Sequence, residues 1–267
     1  MPDLSLCRTL LFLPASNARA IEKARELPVD MIILDLEDAV REEDKGAARE
    51  AALEAAREGF GERMTAIRIN PAGSPHHGAD MLVARRSGVP FVVLPKVENV
   101  KEIHDAHTVT ERPILSMIES PLGVRDAFAI AGNSVGVIAG LNDLSAELRL
   151  PPDGGRRGLA FARQSILLAA RAAGVAAFDG VYNHLSDDAG LTEDTEEGRA
   201  YGFDGKSVIH PSQIETVNRI FSPSDEELVA AEALVAAASG GAERYEGRMI
   251  EAMHVQQARR LIARACR

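Results

Sequence analysis

Eight short apolar segments recur along this 267-residue chain, with helical stretches between them. They lack a strict alternation of polar and apolar residues, which is typical of parallel strands covered on both faces. Eight strand–helix units close into a barrel at about this chain length, so we predict an α/β fold, a (β/α)8 TIM barrel. The predicted strands are Thr9–Leu13, Met31–Leu34, Ala66–Ile69, Phe91–Leu94, Ile114–Ile118, Val135–Ala139, Val175–Phe178 and Lys206–Ile209.

The chain continues beyond the length that eight units need. An eighth helix is predicted to end at Phe221, and the serine and acidic residues that follow resemble a helix N-terminus opening Leu228–Ala238. Met249–Ala265 is predicted as a last helix. The chain is therefore predicted to comprise a catalytic barrel over residues 1–221 and a C-terminal helical extension over residues 222–267.

Composition narrows the range of partners. The formal net charge is −10 and the chain has no Lys/Arg tract, which argues against nucleic acid. No apolar run approaches the roughly 20 residues that span a bilayer. The N-terminus shows no basic segment followed by an apolar one, so no secretory signal is visible and a cytoplasmic location is expected.

Two carboxylates follow neighbouring predicted strands. Glu119 comes after Ile114–Ile118, and Asp143 comes shortly after Val135–Ala139. Because successive strand ends of a parallel barrel meet at the same rim, these side chains are expected to lie close together. Carboxylate oxygens suit a hard divalent cation. The pair therefore predicts a Mg2+ site.

Further charged residues follow the second and third strands. Asp35, Glu37 and Asp38 form an acidic cluster that favours a nearby counter-charge or metal, although helix N-termini are also enriched in acids. Arg68 alternates with its apolar neighbours and is expected to point into the barrel mouth. There it could clamp a substrate carboxylate or act as a structural partner of the acidic cluster, and both roles are compatible.

Four basic residues complete the set of candidates. Lys96 follows the fourth strand and would add positive charge to the mouth; a Schiff-base role is disfavoured because a metal site already supplies the electrophile. His210 follows the eighth strand and is either a catalytic base or, as is more common at strand ends, a structural residue. Arg19 and Lys23 open the first predicted helix, where a phosphate could bind.

These segments, in this order, resemble the citrate lyase β-subunit-like (HpcH/HpaI aldolase/citrate lyase) family, which is related to malyl-CoA and citramalyl-CoA lyases. The resemblance covers nearly the whole chain. The matching segments are Arg8-Thr9-Leu10-Leu11-Phe12-Leu13-Pro14, Asp35-Leu36-Glu37-Asp38-Ala39-Val40, Arg68-Ile69-Asn70-Pro71, Leu94-Pro95-Lys96-Val97-Glu98, Ile118-Glu119-Ser120-Pro121, Gly140-Leu141-Asn142-Asp143-Leu144 and Gly202-Phe203-Asp204-Gly205-Lys206 through Ile209-His210-Pro211.

The resemblance implies a TIM barrel with added C-terminal helices, assembled as a homotrimer or hexamer in which the extension packs on a neighbouring subunit. It implies Mg2+ held by Glu119 and Asp143, and a substrate carboxylate bound by Arg68. It also implies coenzyme A bound by Arg19 and Lys23.

The resemblance further implies a C-terminal acid that reaches the active site of a neighbouring subunit. The family has Met-Ile-Asp in this segment, whereas this chain has Met249-Ile250-Glu251. The acid is present but is one methylene longer, and a misplacement of about 1 Å can cost on the order of 100-fold in rate. The first loop also departs from the family's Pro-Gly-Ser, since it has Ala15 in place of glycine.

The function implied by the resemblance is Mg2+-dependent cleavage, or formation, of a hydroxy-carboxy-acyl-CoA, giving a 2-oxo acid and an acyl-CoA. Arg68, Asp38 and Glu251 are the expected catalytic side chains, while Asp35, Glu37, Asp38 and Lys96 surround the metal site and orient its waters. Three alternatives stay open: a coenzyme A-independent aldolase of hydroxy-oxo acids, a thioesterase, and a non-autonomous subunit of a citrate lyase complex.

Overall fold

A computed structural model of the protein describes residues 2–151 and 155–265. Its eight parallel strands close into a barrel in chain order, and the last strand pairs with the first. The TIM barrel and all eight predicted strands are therefore confirmed, with ends that shift by no more than two residues. The strands are β1 Thr9–Pro14, β2 Met31–Asp35, β3 Met64–Arg68, β4 Phe91–Leu94, β5 Ile114–Ile118, β6 Gly136–Ala139, β7 Ala176–Asp179 and β8 Gly205–Val208.

Helices follow the strands and cover the outside of the barrel. Within the described residues, no helix is long and apolar enough to cross a membrane. The helices are α1 Ala18–Ala24, α2 Lys45–Glu58, α3 His77–Ser87, α4 Val100–Thr110, α5 Pro121–Arg125, α6 Ala127–Ala131, α7 Leu141–Glu147, α8 Ala160–Ala173, α9 Asp188–Tyr201, α10 Ile214–Phe221, α11 Asp225–Ala237 and α12 Ala252–Ala265.

The strands are apolar on both faces because each face has its own core. Leu10 and Phe12 of β1 belong to a cluster inside the barrel, together with Met31 of β2. Leu11 and Leu13 belong to the cluster between the strands and the helices. Since side chains alternate across a strand, two apolar surroundings favour apolar residues at most central strand positions, with Ser116 of β5 and Lys206 of β8 among the buried exceptions. Most of the predicted site residues lie at or beyond the carboxyl ends of the strands.

The C-terminal extension is helical, as predicted, and forms a hairpin of two helices. The structure corrects the sequence prediction at one point. Helices α11 and α12 pack on each other, and α11 opens with the expected N-cap, because Ser224 and Glu227 form a capping box. Met249, however, lies in a strand and not in the last helix. Two short antiparallel strands, β9 Glu243–Tyr245 and β10 Arg248–Ile250, precede α12.

The turn of this hairpin explains the correction. Glu246 and Gly247 connect the strands with φ angles of +47° and +79°, and two positive φ angles are what a tight two-residue hairpin turn needs. A Glu-Gly pair is a weaker turn signal than Asn-Gly or Asp-Gly, so the sequence did not reveal it. Packing of the extension on a neighbouring subunit stays a prediction.

Candidate active site

A cavity of about 370 Å3 opens at the carboxyl ends of the barrel strands. The sequence predicted that the candidate residues would meet at this rim, and five of them line the cavity. They are Asp35, Asp38, Arg68, Glu119 and Asp143. Two further candidates, Glu37 and Lys96, contact these residues by ion pairs. The barrel therefore gathers the predicted acidic cluster, the arginine and the carboxylate pair in one place.

Arg68 ends β3 and is held by two acids. Its Nε and Nη2 atoms donate to the two carboxylate oxygens of Asp35 at 2.7 and 2.6 Å. Its Nη1 atom lies 2.8 Å from Oε2 of Glu37, and its guanidinium lies 5.0 Å from the centre of the Phe12 ring. Burial works against the charge, but Asp35 and Glu37 outweigh it and raise the pKa of Arg68. Arg68 is thus a structural partner of the acidic cluster that also faces the cavity.

Glu119 is almost fully buried behind the end of β5. Its carboxylate accepts a hydrogen bond of 2.6 Å from the backbone N–H of Lys96. Its other side presses on Gly140, where an added Cβ atom would overlap with Cβ and Oε2 of Glu119. Glycine at this position is therefore required for the observed position of the carboxylate. This role was not evident from the amino-acid pattern, because it depends on how β5 and β6 pair.

Lys96 connects the carboxylates of the site. Its Nζ atom lies 3.0 Å from Glu37, 3.5 Å from Asp38 and 3.4 Å from Asp143. Burial opposes the charge on Lys96, but these three acids raise its pKa. The backbone has a φ of +53°, which is uncommon for a residue with a side chain. This conformation directs the N–H of Lys96 to Glu119 and its ammonium group to the other acids.

Two carboxyl groups of the site have raised pKa values. Burial raises the pKa of Glu119 to about 7, and the negative charges of Glu37 and Asp143 add to the effect. Burial also raises the pKa of Glu37, although Arg68 and Lys96 oppose this shift. Excess negative charge beside a buried carboxyl group is relieved by a proton or by a cation. The site therefore has the electrostatic character of a cation-binding site.

The residues fit a magnesium ion. Glu119 and Asp143, which lies in the first turn of α7, face the same cavity and influence each other electrostatically. Mg2+ is usually bound through one or two carboxylates, with water and substrate in the other positions, and this pair offers that number of ligands.

Binding of Mg2+ is expected to weaken as the pH falls below about 7, because a protonated Glu119 cannot act as a ligand. Above this pH the carboxylate is ionised and binding should become independent of pH. Below it, each metal ion bound should release a proton. Titration calorimetry between about pH 6 and 8, in buffers of different ionisation enthalpy, measures both quantities. A constant affinity with no proton release would show that Glu119 does not ligate the metal.

Other predicted residues lie outside the cavity. The His210 side chain accepts a hydrogen bond from the backbone N–H of Ser212 and caps a short 3-10 helix, which is a structural use. Arg19 and Lys23 are exposed on α1, which follows β1. Glu251 is exposed, and its backbone N–H donates to His254 at the start of α12. Coenzyme A binding by α1 and a cross-subunit role for Glu251 stay predictions.

Lys45 is a buried lysine that was not among the predicted site residues, and it stabilises two of the segments that carry them. The Nζ atom of Lys45 donates to the backbone carbonyls of Leu36 and Glu37 at 2.7 and 2.8 Å, and to the side chain of Asn70 at 2.9 Å. It therefore ties the segment after β2 to the segment after β3. Lys45 lies among acidic and alanine residues of α2, where a lysine is usually solvent-exposed, so its sequence position carried no signal.

Comparison with known families decides the classification. The sequence profile described as HpcH/HpaI aldolase/citrate lyase matches residues 8–211. The chain belongs to this family. A second profile, described as a C–C bond lyase of the TIM-barrel fold, matches residues 160–266. The resemblance noted in the sequence is thereby confirmed.

Members of the family with known names have more than one activity. A protein named (3S)-malyl-CoA thioesterase from Cereibacter sphaeroides is 37% identical, over 97% of this chain and 94% of its own length. The citrate lyase subunit beta of Leuconostoc mesenteroides is 34% identical, over 98% of this chain and 94% of its own. The family therefore places the protein among enzymes of this kind without choosing between a lyase and a thioesterase.

A solved structure also matches the whole barrel and its extension. The protein CitE of Mycobacterium tuberculosis, in complex with magnesium, acetoacetate and coenzyme A, has a TM-score of 0.82 and 33% identity, and the match covers 99% of this chain and all of that one. Another structure, the citrate lyase beta subunit of the same organism with oxaloacetate and magnesium, has a TM-score of 0.73 and 33% identity over 82% of this chain and 99% of that one.

Proposed function

We propose that this protein is a Mg2+-dependent carbon–carbon lyase that cleaves a hydroxy-carboxy-acyl-CoA into a 2-oxo acid and an acyl-CoA. The observation that carries the proposal is the meeting of Glu119, Asp143 and Arg68 at one cavity. Two carboxylates for the metal and one guanidinium for a carboxylate are what a chelating 2-oxo acid requires. The magnesium and coenzyme A in the matching CitE structure support the same assignment.

Each group at the cavity has a role in this reaction. Glu119 and Asp143 would hold Mg2+, which when bound would stabilise negative charge on the oxygen of the departing oxo acid. Arg68 would bind the substrate carboxylate with the N–H groups that Asp35 and Glu37 leave free; three of the five are engaged by those acids.

Proton transfers complete the reaction. Cleavage breaks the bond between the hydroxyl-bearing carbon and the thioester α-carbon, whose electron pair passes to the α-carbon. The hydroxyl proton leaves to water oriented by Asp38, which lines the cavity. Glu251 of a neighbouring subunit then delivers a proton to the α-carbon. This role requires an assembly, and we propose a homotrimer or hexamer in which Arg19 and Lys23 bind the phosphates of coenzyme A.

Hydrolysis of the thioester is the second candidate function, and the Cereibacter relative favours it. Instead of assisting cleavage of the carbon–carbon bond, the same metal site could activate a water molecule for attack on the thioester carbonyl. The citrate lyase relatives favour a variant of the first function, in which the acyl group arrives within a larger complex. Coenzyme A binding by the isolated protein would separate the autonomous enzyme from such a subunit.

A substrate screen tests the proposed function. Purified protein with Mg2+ is incubated with acetyl-CoA or propionyl-CoA and with glyoxylate, pyruvate or oxaloacetate, and condensation products are read by mass spectrometry. The expected result is a new hydroxyacyl-CoA that does not form when EDTA is present. Release of the free thiol from the starting thioester, with no condensation product from any pair, would instead favour the thioesterase.

Replacing Arg68 with lysine is expected to weaken oxo-acid binding at least about tenfold, because lysine keeps the charge but loses the planar fork. Calorimetry with pyruvate and Mg2+ measures this change. Arg8 offers a matched control, since it makes the same two-pronged pair with Asp30 at the start of β1, away from the cavity. Arg8→Lys should lower the stability of the fold and leave the affinity for the oxo acid unchanged. Unchanged affinity in Arg68→Lys would restrict Arg68 to its structural role.

A further inference from the structure

Ser207 is an inward-facing residue of β8 that lines the cavity. It pairs in register with Leu10 of β1, and its side chain is only 1% exposed. Among the described residues that line the cavity, it alone carries a hydroxyl group. Its neighbours in the lining are mostly apolar on this side of the barrel, with Phe12 from β1 and Val181 after β7. A polar group has therefore been placed in an apolar part of the wall.

The hydroxyl group of Ser207 has no hydrogen-bond partner within the described part of the chain. Buried polar groups are nearly always paired, because an unpaired one loses its contact with water without compensation. Ser116 of β5 shows the ordinary arrangement: it is equally buried, but its hydroxyl lies 2.7 Å from that of Ser134. Ser207 thus carries an unused donor and acceptor at the wall of the cavity.

The position of Ser207 indicates what it would contact. The metal-binding Glu119 follows β5 and the carboxylate-binding Arg68 ends β3, while β8 lies three strands from each around the closed barrel. A 2-oxo acid would bind with its carboxylate at Arg68 and its carbonyl oxygen on the side of Glu119. Carbon 3 and its substituents would then point toward β8.

We propose that Ser207 is a specificity-determining residue whose hydroxyl hydrogen-bonds to a polar group on carbon 3 of the oxo acid. The inference rests on the proposed function and deepens it, because it names the substrate class: oxo acids with a hydroxyl or carboxylate group on carbon 3, in preference to pyruvate, whose carbon 3 is an unsubstituted methyl group. A site built to hydrogen-bond a substrate rejects the analogue that lacks the polar group, since its own polar group is then left unpaired.

The test compares three oxo acids that differ only at carbon 3. Pyruvate carries a hydrogen, hydroxypyruvate a hydroxyl and oxaloacetate a carboxylate, and the dissociation constant of each is measured by calorimetry with Mg2+. The wild-type protein should bind hydroxypyruvate or oxaloacetate more tightly than pyruvate, and the stronger of the two identifies the group. Ser207→Ala should weaken binding of that ligand about tenfold and leave pyruvate nearly unchanged.

Ser116→Ala is the matched control, and thermal unfolding adds a second readout. Removing the unpaired hydroxyl in Ser207→Ala should leave the melting temperature unchanged or raise it, whereas Ser116→Ala removes a paired hydroxyl and should lower it without altering ligand preference. An equal change for all three ligands in Ser207→Ala, or no change for any, would overturn the inference while the proposed function stands. A wild-type protein that binds none of them would overturn both.

Discussion

Replacing Glu251 with glutamine is expected to lower turnover about 100- to 10,000-fold, the range that a positioned general acid or base contributes. Binding of coenzyme A and of the oxo acid should change little, because the residue acts on a proton and not on the bound groups. Steady-state kinetics of the purified assembly, with calorimetry for both ligands, separates the two effects. Glu251→Asp should raise lyase activity several-fold if the longer side chain has displaced the carboxylate from its best position.

A neighbouring acid provides the control for this prediction. Glu246 is exposed and lies in the turn between β9 and β10, and Glu251 directly follows β10. Glu246→Gln should leave turnover unaltered. If Glu251→Gln also leaves turnover unaltered, Glu251 takes no part in the chemistry and the lyase mechanism needs another acid.

Replacing Glu119 with alanine is expected to abolish Mg2+-dependent binding of oxo acids. The carboxylate is one of only two proposed protein ligands, so its loss leaves Asp143 alone to hold the ion. The fold should survive, because burial already disfavours the ionised form of Glu119 in the native state. Circular dichroism and calorimetry check the two halves of this prediction.

Glu147 provides a comparison for the Glu119 variant. It is an exposed acid on α7, one turn beyond Asp143 and outside the cavity lining. Glu147→Gln should bind Mg2+ and oxo acid as the wild-type protein does. If the Glu119→Ala protein also binds both normally, the metal site has been assigned to the wrong residues.

The barrel could be predicted from the sequence because it depends on local patterns. Segments such as Phe91–Leu94 and Ile114–Ile118 are short, apolar and separated by helices, and the structure places strands over the same residues. The hairpin before α12 was missed because its turn uses Glu246 and Gly247, and a single glycine does not distinguish a turn from a helix boundary. The predicted helix Met249–Ala265 therefore began three residues before the observed helix α12.

Part of the site followed from the same reasoning. Glu119 and Asp143 were predicted as neighbours because consecutive strand ends are adjacent in any parallel barrel. Lys96 was also predicted at the site, but its backbone angle and the contributions of Gly140 and Ser207 were not predictable in this way. Each depends on the pairing of particular strands or on a backbone angle: Gly140 makes room for Glu119, Lys96 has a positive φ, and Ser207 lacks a partner. These properties exist only once the barrel has closed.

We propose that this chain breaks a carbon–carbon bond in a Mg2+-dependent reaction. The most direct measurement is cleavage of citryl-CoA in deuterated water, stopped at low conversion and analysed by mass spectrometry. A lyase should give equal amounts of oxaloacetate and acetyl-CoA, the acetyl-CoA should carry one solvent deuterium on its methyl carbon, and EDTA should stop the reaction. Citrate and free coenzyme A, with no acetyl-CoA, would contradict the lyase and identify a thioesterase.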